Sequence, residues 1–119
     1  MASVLAIPAK SCSVFQHGRR NDAVVELTPV AADVAGNTMV NDGRTLLVVR
    51  NSGASTRTIL FKDKDGNDCH TAENITAGKL VVFGPFPVQD FGTPISFTCS
   101  HAELLLQAVV LDHKSQLSR

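Results

Sequence analysis

The stretch from Asn41 to Ser55 has the sequence NDGRTLLVVRNSGAS, which contains a turn, a strand and a second turn within fifteen residues. Asp42-Gly43 favours a positive φ and a tight chain reversal. Residues 45–49 form an apolar, largely β-branched run that is too short for a helix and suits a buried strand. Asn51-Ser52-Gly53 then ends the strand. This stretch therefore indicates a β fold.

The segment from Thr76 to Pro87, TAGKLVVFGPFP, repeats the order of turn, apolar run and corner. We predict a buried strand at Lys79–Phe83 and a central strand at Leu105–Leu111, where paired valines favour strand over helix. Short runs bounded by turn residues continue along the rest of the chain. They predict an all-β, single-domain β-sandwich of jelly-roll type, with a small barrel as the alternative.

The chain divides into three segments. Its 119 residues correspond to one domain. We expect residues 1–22 to form an N-terminal arm or an edge strand, because the sequence there is mixed and Pro8 interrupts its apolar run. The sandwich domain is expected over residues 23–111, and residues 112–119 form a polar C-terminal tail.

Composition excludes several classes of function. Lys and Arg total 11, Asp and Glu total 11, and the net charge is +0, so the basic excess typical of nucleic-acid binders is missing and no nucleic-acid partner is expected. The chain has no Trp and no Tyr, which disfavours glycan-binding modules and base-stacking platforms. No apolar stretch approaches the roughly 18 residues of a membrane span. Three scattered cysteines without a signal peptide predict buried free thiols and a reducing, cytoplasmic compartment of synthesis.

Candidate metal and catalytic residues do not fit known spacings. The acidic loop Asp63–Asp68 lacks the EF-hand register, and we expect a solvated hairpin loop there. Cys69-His70 and Cys99-Ser100-His101 do not have the spacing of structural zinc ligands. A catalytic Cys–His pair is disfavoured, because core cysteines and surface histidines are the commoner case. We therefore predict no catalytic residue, no metal, no cofactor and no enzymatic activity.

Two groups of residues are candidates for partner binding. The first is the proline-held corner formed by Phe83, Pro85, Phe86 and Pro87, which fits either a core plug or an exposed apolar ridge for docking. The second is Arg19 with Arg20, which fits either a solvated loop or a contact with an acidic partner surface.

The ordered set of motifs resembles a known group of proteins. NDGRT at 41–45 is followed by an apolar strand, NSGAS at 51–55, TAG at 76–78, FGPFP at 83–87 and a terminal Val-rich strand. This order is similar to that of small tailed-bacteriophage structural proteins described as head decoration or capsid cement proteins, over roughly Leu27 to Leu111. The resemblance implies a β-sandwich on the capsid exterior of a virion, with the major capsid protein as partner.

Two kinds of function remain open at this stage. The first is a structural protein that clamps neighbouring major capsid subunits. The alternative is a recognition module of a phage tail or fibre that binds a host-surface ligand. Self-association is also expected, as a homodimer or a homotrimer, because the net charge of +0 gives little repulsion between copies and strand edges need cover.

Overall fold

The structure, a computed structural model, describes residues 5–13 and 27–112. Almost all of the regular structure in this part is β, and the single short helix, α1, spans Val88–Phe91. The predicted all-β, single-domain sandwich is confirmed. The strands are β1 (Leu5–Ala6), β2 (Ala9–Ser13), β3 (Val30–Ala31), β4 (Asn37–Met39), β5 (Thr45–Asn51), β6 (Arg57–Phe61), β7 (Glu73–Ile75), β8 (Leu80–Phe83), β9 (Ile95–Cys99) and β10 (Leu104–Asp112).

The strands form two sheets. Sheet A has the order β1-β4-β9-β6-β7, and sheet B has the order β2-β10-β5-β8, with β3 also paired to β10. The β1–β4 and β2–β10 pairs are parallel, and the other pairs are antiparallel. Two of the passages from sheet A to sheet B, at Ile7-Pro8 and at residues 76–79, connect an edge strand of one sheet to an edge strand of the other.

The longest pairing joins the two strands that the sequence marks most clearly. β5 and β10 are antiparallel from Thr45 opposite Val110 to Asn51 opposite Leu104. The predictions of a strand at Thr45–Val49 and a central strand at Leu105–Leu111 are therefore confirmed. At the start of β5, the N–H of Arg44 donates to the Asp42 carboxylate at 3.0 Å, which lowers the pKa of Asp42 and stabilises the predicted turn.

The core lies between the inner faces of the sheets. Its aromatic centre is Phe61, whose ring centroid lies 5.0 Å from that of Phe86, 5.2 Å from Phe83 and 5.4 Å from Phe97. Aliphatic side chains from both sheets surround these rings and are almost completely buried. Because each strand alternates, only every second residue reaches this core.

Buried amides tie the loops to the sheets. Asn51 Nδ2 donates to the Ser55 carbonyl at 2.8 Å and to the Ile75 carbonyl at 2.9 Å, while its Oδ1 accepts the Gly53 N–H at 3.0 Å. The end of β5 in sheet B is thereby joined to β7 in sheet A. Such satisfied buried amides stabilise a fixed arrangement, whereas unpaired ones would cost free energy.

A second buried amide fills a gap in sheet B. β3 and β2 lie one after the other along the same edge of β10. Between them, Gln107 Oε1 accepts the Thr28 N–H at 3.0 Å, and Gln107 Nε2 donates to the Pro8 carbonyl at 2.9 Å. The side chain therefore takes the place of the missing ladder bonds.

The prediction that Lys79–Phe83 is a buried strand is wrong. Among the described strands, β8 pairs only with β5 and lies at the end of sheet B. Leu80 is 64% exposed and Val82 58% exposed, because their side chains point away from the core. At the N-terminus, residues 5–13 supply edge strands to both sheets, which is one of the two alternatives expected for residues 1–22.

Candidate interaction surface

The outward side of sheet B is apolar across three adjacent strands. The register places Val48 beside Val82 of β8, and Leu105 and Leu80 on either side of Arg50. None of these outward aliphatic side chains belongs to the core cluster. We call the set the apolar face; its members are Leu46, Val48, Leu80, Val82 and Leu105.

The exposure of the apolar face rises towards β8. Leu46, Val48 and Leu105 are half-buried, whereas Leu80 and Val82 are exposed. The inward residues of the same strands are closed off: Leu47, Val49 and Leu106 are each 0% exposed. The apolar face is therefore additional to the core and is not a part of it, and contiguous exposed apolar surface of this kind marks sites of interaction.

The outward side of sheet A is polar at most of its positions. Thr38 pairs with Ser96 and Thr58 pairs with Asn74, while the aliphatic residues on this side include Leu60, opposite Thr98, and the small Ala6, opposite Thr38. Hydroxyl and amide side chains of this kind stay hydrated and match the usual alternation of a half-buried antiparallel sheet. Of the two outer surfaces formed by the described residues, that of sheet B is the more apolar and therefore the better suited to burial against a partner.

The charges beside the apolar face are basic. Arg50 is exposed between Leu80 and Leu105, and Lys10 lies opposite Val109 at the far side of the sheet. In the described part of the chain, no carboxylate lies within ion-pair distance of Arg50, although other arginines are paired, such as Arg57 with Glu103 at 2.9 Å. An apolar patch bordered by cations complements a partner surface that is apolar with acidic groups at its rim.

The Phe83–Pro87 corner divides between core and surface. Phe86 is 5% exposed, and its ring packs against those of Phe61 and Phe91 at centroid distances of 5.0 and 5.2 Å. The expectation of an exposed ridge is therefore wrong for Phe86, which is a core plug. Phe83 is half-buried against the core, while Pro85 and Pro87 are exposed. The other predicted contacts, Arg19 and Arg20, lie outside the described residues.

The acidic loop borders an open hollow on the described part of the surface. The hollow has a volume of about 480 Å³ and includes Asp63, Asp65, Asp90 and Phe91 in its lining. Asp63 Oδ1 accepts the N–H groups of Asp65 and Asn67, both at 2.9 Å, so this carboxylate shapes the turn between β6 and β7. Over residues 5–13 and 27–112, no three His, Cys, Asp or Glu side chains are grouped as a metal site would require.

The two described thiols differ. Cys99, on the inward side of β9, is 5% exposed, and burial raises the pKa of its thiol to about 12. Cys69 is exposed in the β6–β7 loop, so the expectation that the cysteines are core residues is right for Cys99 and wrong for Cys69. Neither has the low pKa of an activated nucleophile: loss of hydration also raises the pKa of Cys69.

Sequence reasoning missed the apolar face, although its signal was present. A run such as Leu46-Leu47-Val48-Val49 is apolar at both odd and even positions, and we interpreted it as a strand buried on both sides. In a two-layer sandwich only one side of each sheet meets the core. The second set of aliphatic residues must then face outward, which predicts an exposed apolar surface.

Comparison of the chain with protein-family models, curated proteins and solved structures gives no match. No helix in the described part of the chain is long and apolar enough to cross a membrane.

Proposed function

We propose that this chain is a virion structural protein that binds the outer surface of a tailed-phage capsid and clamps neighbouring major capsid subunits. The observation that carries the proposal is the apolar face, an outward sheet surface with aliphatic side chains on three adjacent strands. The resemblance of the motif order between Leu27 and Leu111 to head decoration proteins supports the choice of partner.

The physical basis is burial of apolar area across a joint between subunits. Removing apolar surface from water contributes about 25 cal/mol per Å². A protein that binds only the assembled lattice stabilises that lattice by mass action. Many copies on one particle make a modest affinity per site sufficient, because their contributions to the shell add together.

The contact chemistry follows from the composition of this surface. Leu46, Val48 and Leu105 would lie at the centre of the interface, and Leu80 and Val82 would lie along one border. Arg50 would then meet an acidic group at the rim of the capsid site. This arrangement of an apolar centre with a charged rim is the usual anatomy of protein interfaces.

A matched pair of substitutions tests the proposal. Leu46 and Leu60 are both half-buried outward leucines, the first on sheet B and the second on sheet A. We expect Leu60→Lys to co-sediment, like the unmodified protein, with shells assembled from the major capsid protein of the same genome. Leu46→Lys should lose at least 90% of bound protein at equal concentration, which corresponds to a loss of affinity of about tenfold or more.

Circular dichroism melting of both variants provides the folding control. Heat resistance of the shells should rise with the unmodified protein and with Leu60→Lys only. The proposal fails if the unmodified protein does not co-sediment, or if Leu46→Lys binds as well as Leu60→Lys. Binding to host cells in place of shells would support the tail or fibre module.

A further inference from the structure

The open side of β8 presents unpaired main-chain groups. The Asn51 N–H donates to the Lys79 carbonyl at 2.9 Å, and the β5–β8 register places Val49 opposite Val81 and Leu47 opposite Phe83. In an antiparallel ladder, alternate residues bond to the same neighbour. The Lys79 carbonyl and the main-chain groups of Val81 and Phe83 therefore point towards β5, while the Lys79 N–H donates to the Thr76 carbonyl at 3.0 Å.

The intervening residues direct theirs away from it. Leu80 and Val82 each present an N–H and a C=O at the sheet edge, with no partner strand among the described residues. The same two residues carry the most exposed side chains of the apolar face. Their main-chain and side-chain groups are thus both available to a further strand.

β8 differs from the other edge strands, β1, β2, β3 and β7, in lacking protection against pairing, and β3 is only two residues long. β1 is only two residues long and is followed closely by Pro8, β2 contains Lys10, and β7 contains exposed Glu73. Short length, proline and charge are the usual means by which proteins block edge-to-edge pairing. Leu80–Phe83, LVVF, contains neither proline nor charge.

The pattern of β8 is self-complementary. When two copies pair antiparallel with Val81 on the two-fold axis, Leu80 of one copy lies opposite Val82 of the partner subunit. These residues form hydrogen-bonded pairs, so the four open groups in each copy are all satisfied. Leucine then lies beside valine on the outer face, and both contacts are apolar cross-strand pairs of the kind that stabilise sheets.

Charge does not oppose this arrangement. Lys79 lies opposite Phe83 of the partner subunit, so the two lysines are at opposite ends of the paired strands. The net charge of +0 removes general repulsion between copies. No other occupant is matched as fully by groups present on the edge itself.

We infer that this chain forms a two-fold homodimer in which β8 pairs antiparallel with β8 of a second copy, centred on Val81. Sheet B then continues across the dimer from one β2 to the other. The contact is four residues long, so it buries less area than the roughly 1,200–2,000 Å² that is typical of stable interfaces. We therefore expect a dissociation constant on the order of 10–100 μM. The inference stands without the capsid proposal, because it concerns the isolated protein.

Analytical ultracentrifugation from about 5 to 500 μM tests the inference, over a range chosen to bracket that dissociation constant. Val82 and Val40 are matched controls, 58% and 54% exposed, and only Val82 lies on the β8 edge. We expect the unmodified protein and Val40→Lys to pass from monomer to dimer over this range. Val82→Lys should stay monomeric at all concentrations, with an unchanged circular dichroism spectrum.

A second variant addresses the main-chain bonds directly. Val82→Pro removes an N–H that faces the open edge, without removing a bond to β5, and edge strands tolerate proline. It should weaken dimerisation at least tenfold. A monomer at every concentration for the unmodified protein, a trimer, or equal dimerisation by Val40→Lys and Val82→Lys would overturn the inference. The measurement contains no capsid, so such a result leaves the co-sedimentation test unaffected.

Discussion

The two sheets share one core but present different outer surfaces. On sheet A, the outward positions are filled mainly by hydroxyl and amide side chains, such as Thr98 and Ser96. On sheet B, most of the corresponding positions are aliphatic, such as Val48 and Leu105, with Arg50 and Gln107 as polar exceptions. The inward residues of both sheets are equally well buried, as Ile95 and Leu47, each 0% exposed, show.

The difference separates what folding requires from what it does not. A sandwich needs one apolar side on each sheet, and sheet A has only that one. Sheet B has a second apolar side, the outward one. Its side chains remain partly in water after folding and so contribute little to the free energy of unfolding. Exposed aliphatic residues also promote aggregation. Their concentration on one sheet is the strongest indication that this surface has a partner.

The largest expected effect tests the boundary between core and surface at the Phe83–Pro87 corner. Phe86→Ala removes a ring that packs against Phe61 and Phe91. We expect the free energy of unfolding to fall by about 3–5 kcal/mol, which lowers the melting temperature by roughly 10–20 °C. Thermal unfolding followed by circular dichroism measures this. An unchanged melting temperature would instead place Phe86 at the surface and restore it as a docking residue.

The next effect compares the two sides of sheet B with one substitution. Leu47→Ala acts on a side chain that is 0% exposed, and Leu80→Ala on one that is 64% exposed. We expect Leu47→Ala to lower the free energy of unfolding by about 2–5 kcal/mol and Leu80→Ala to change it by less than about 1 kcal/mol. Urea denaturation gives both values. Similar losses for the two variants would mean that the apolar face is a part of the core. Sheet B would then not differ from sheet A in having a second apolar side.

Local sequence determined the strands but not their neighbours. The turns around Gly43 and Gly53 and the β-branched run between them were enough to place β5. β2 was missed because its sequence, AKSCS, has no strand signal of its own, and its pairing partner is β10, far away in the chain. Parallel pairing of distant segments leaves no local pattern.

The candidate surface was predictable only in part, for the same reason. An apolar run such as Leu80–Phe83 is compatible with a strand buried on both sides and with an edge strand that exposes alternate residues. The sheet order decides between these, and β8 is at an edge. The position of Phe86 likewise depends on Phe61 and Phe91, which are separated from one another by 30 positions in the sequence and meet only in the fold.

The smallest expected effect is a difference in thiol reactivity, which tests whether the inward positions of sheet A are closed to solvent. On β9, Thr98 faces outward and Cys99 faces inward, where its thiol accepts a weak hydrogen bond from Asn37 Nδ2 at 3.9 Å. We expect Cys69 to react with Ellman's reagent in the native protein, because it is exposed, and Cys99 to react only after unfolding. Rapid native reaction of Cys99 in a variant that carries both Cys12→Ser and Cys69→Ser would contradict a closed core.

The raised pKa of the Cys99 thiol predicts how the free energy of unfolding depends on pH. The folded pKa of Cys99 is raised to about 12, whereas the unfolded value is about 8.5. At a pH between these two values, the unfolded chain has lost the thiol proton and the folded chain retains it. The free energy of unfolding is therefore unaffected below about pH 8. Above that it falls as the pH rises, by at most about 1.4 kcal/mol per pH unit. Urea denaturation of Cys99→Ala from pH 8 to 10 should therefore show a shallower decline than the unmodified protein, while Cys69→Ser should change the decline less, because Cys69 is exposed. Parallel declines in all three proteins would show that Cys99 is hydrated in the folded state, and the inward side of sheet A would then be open to solvent.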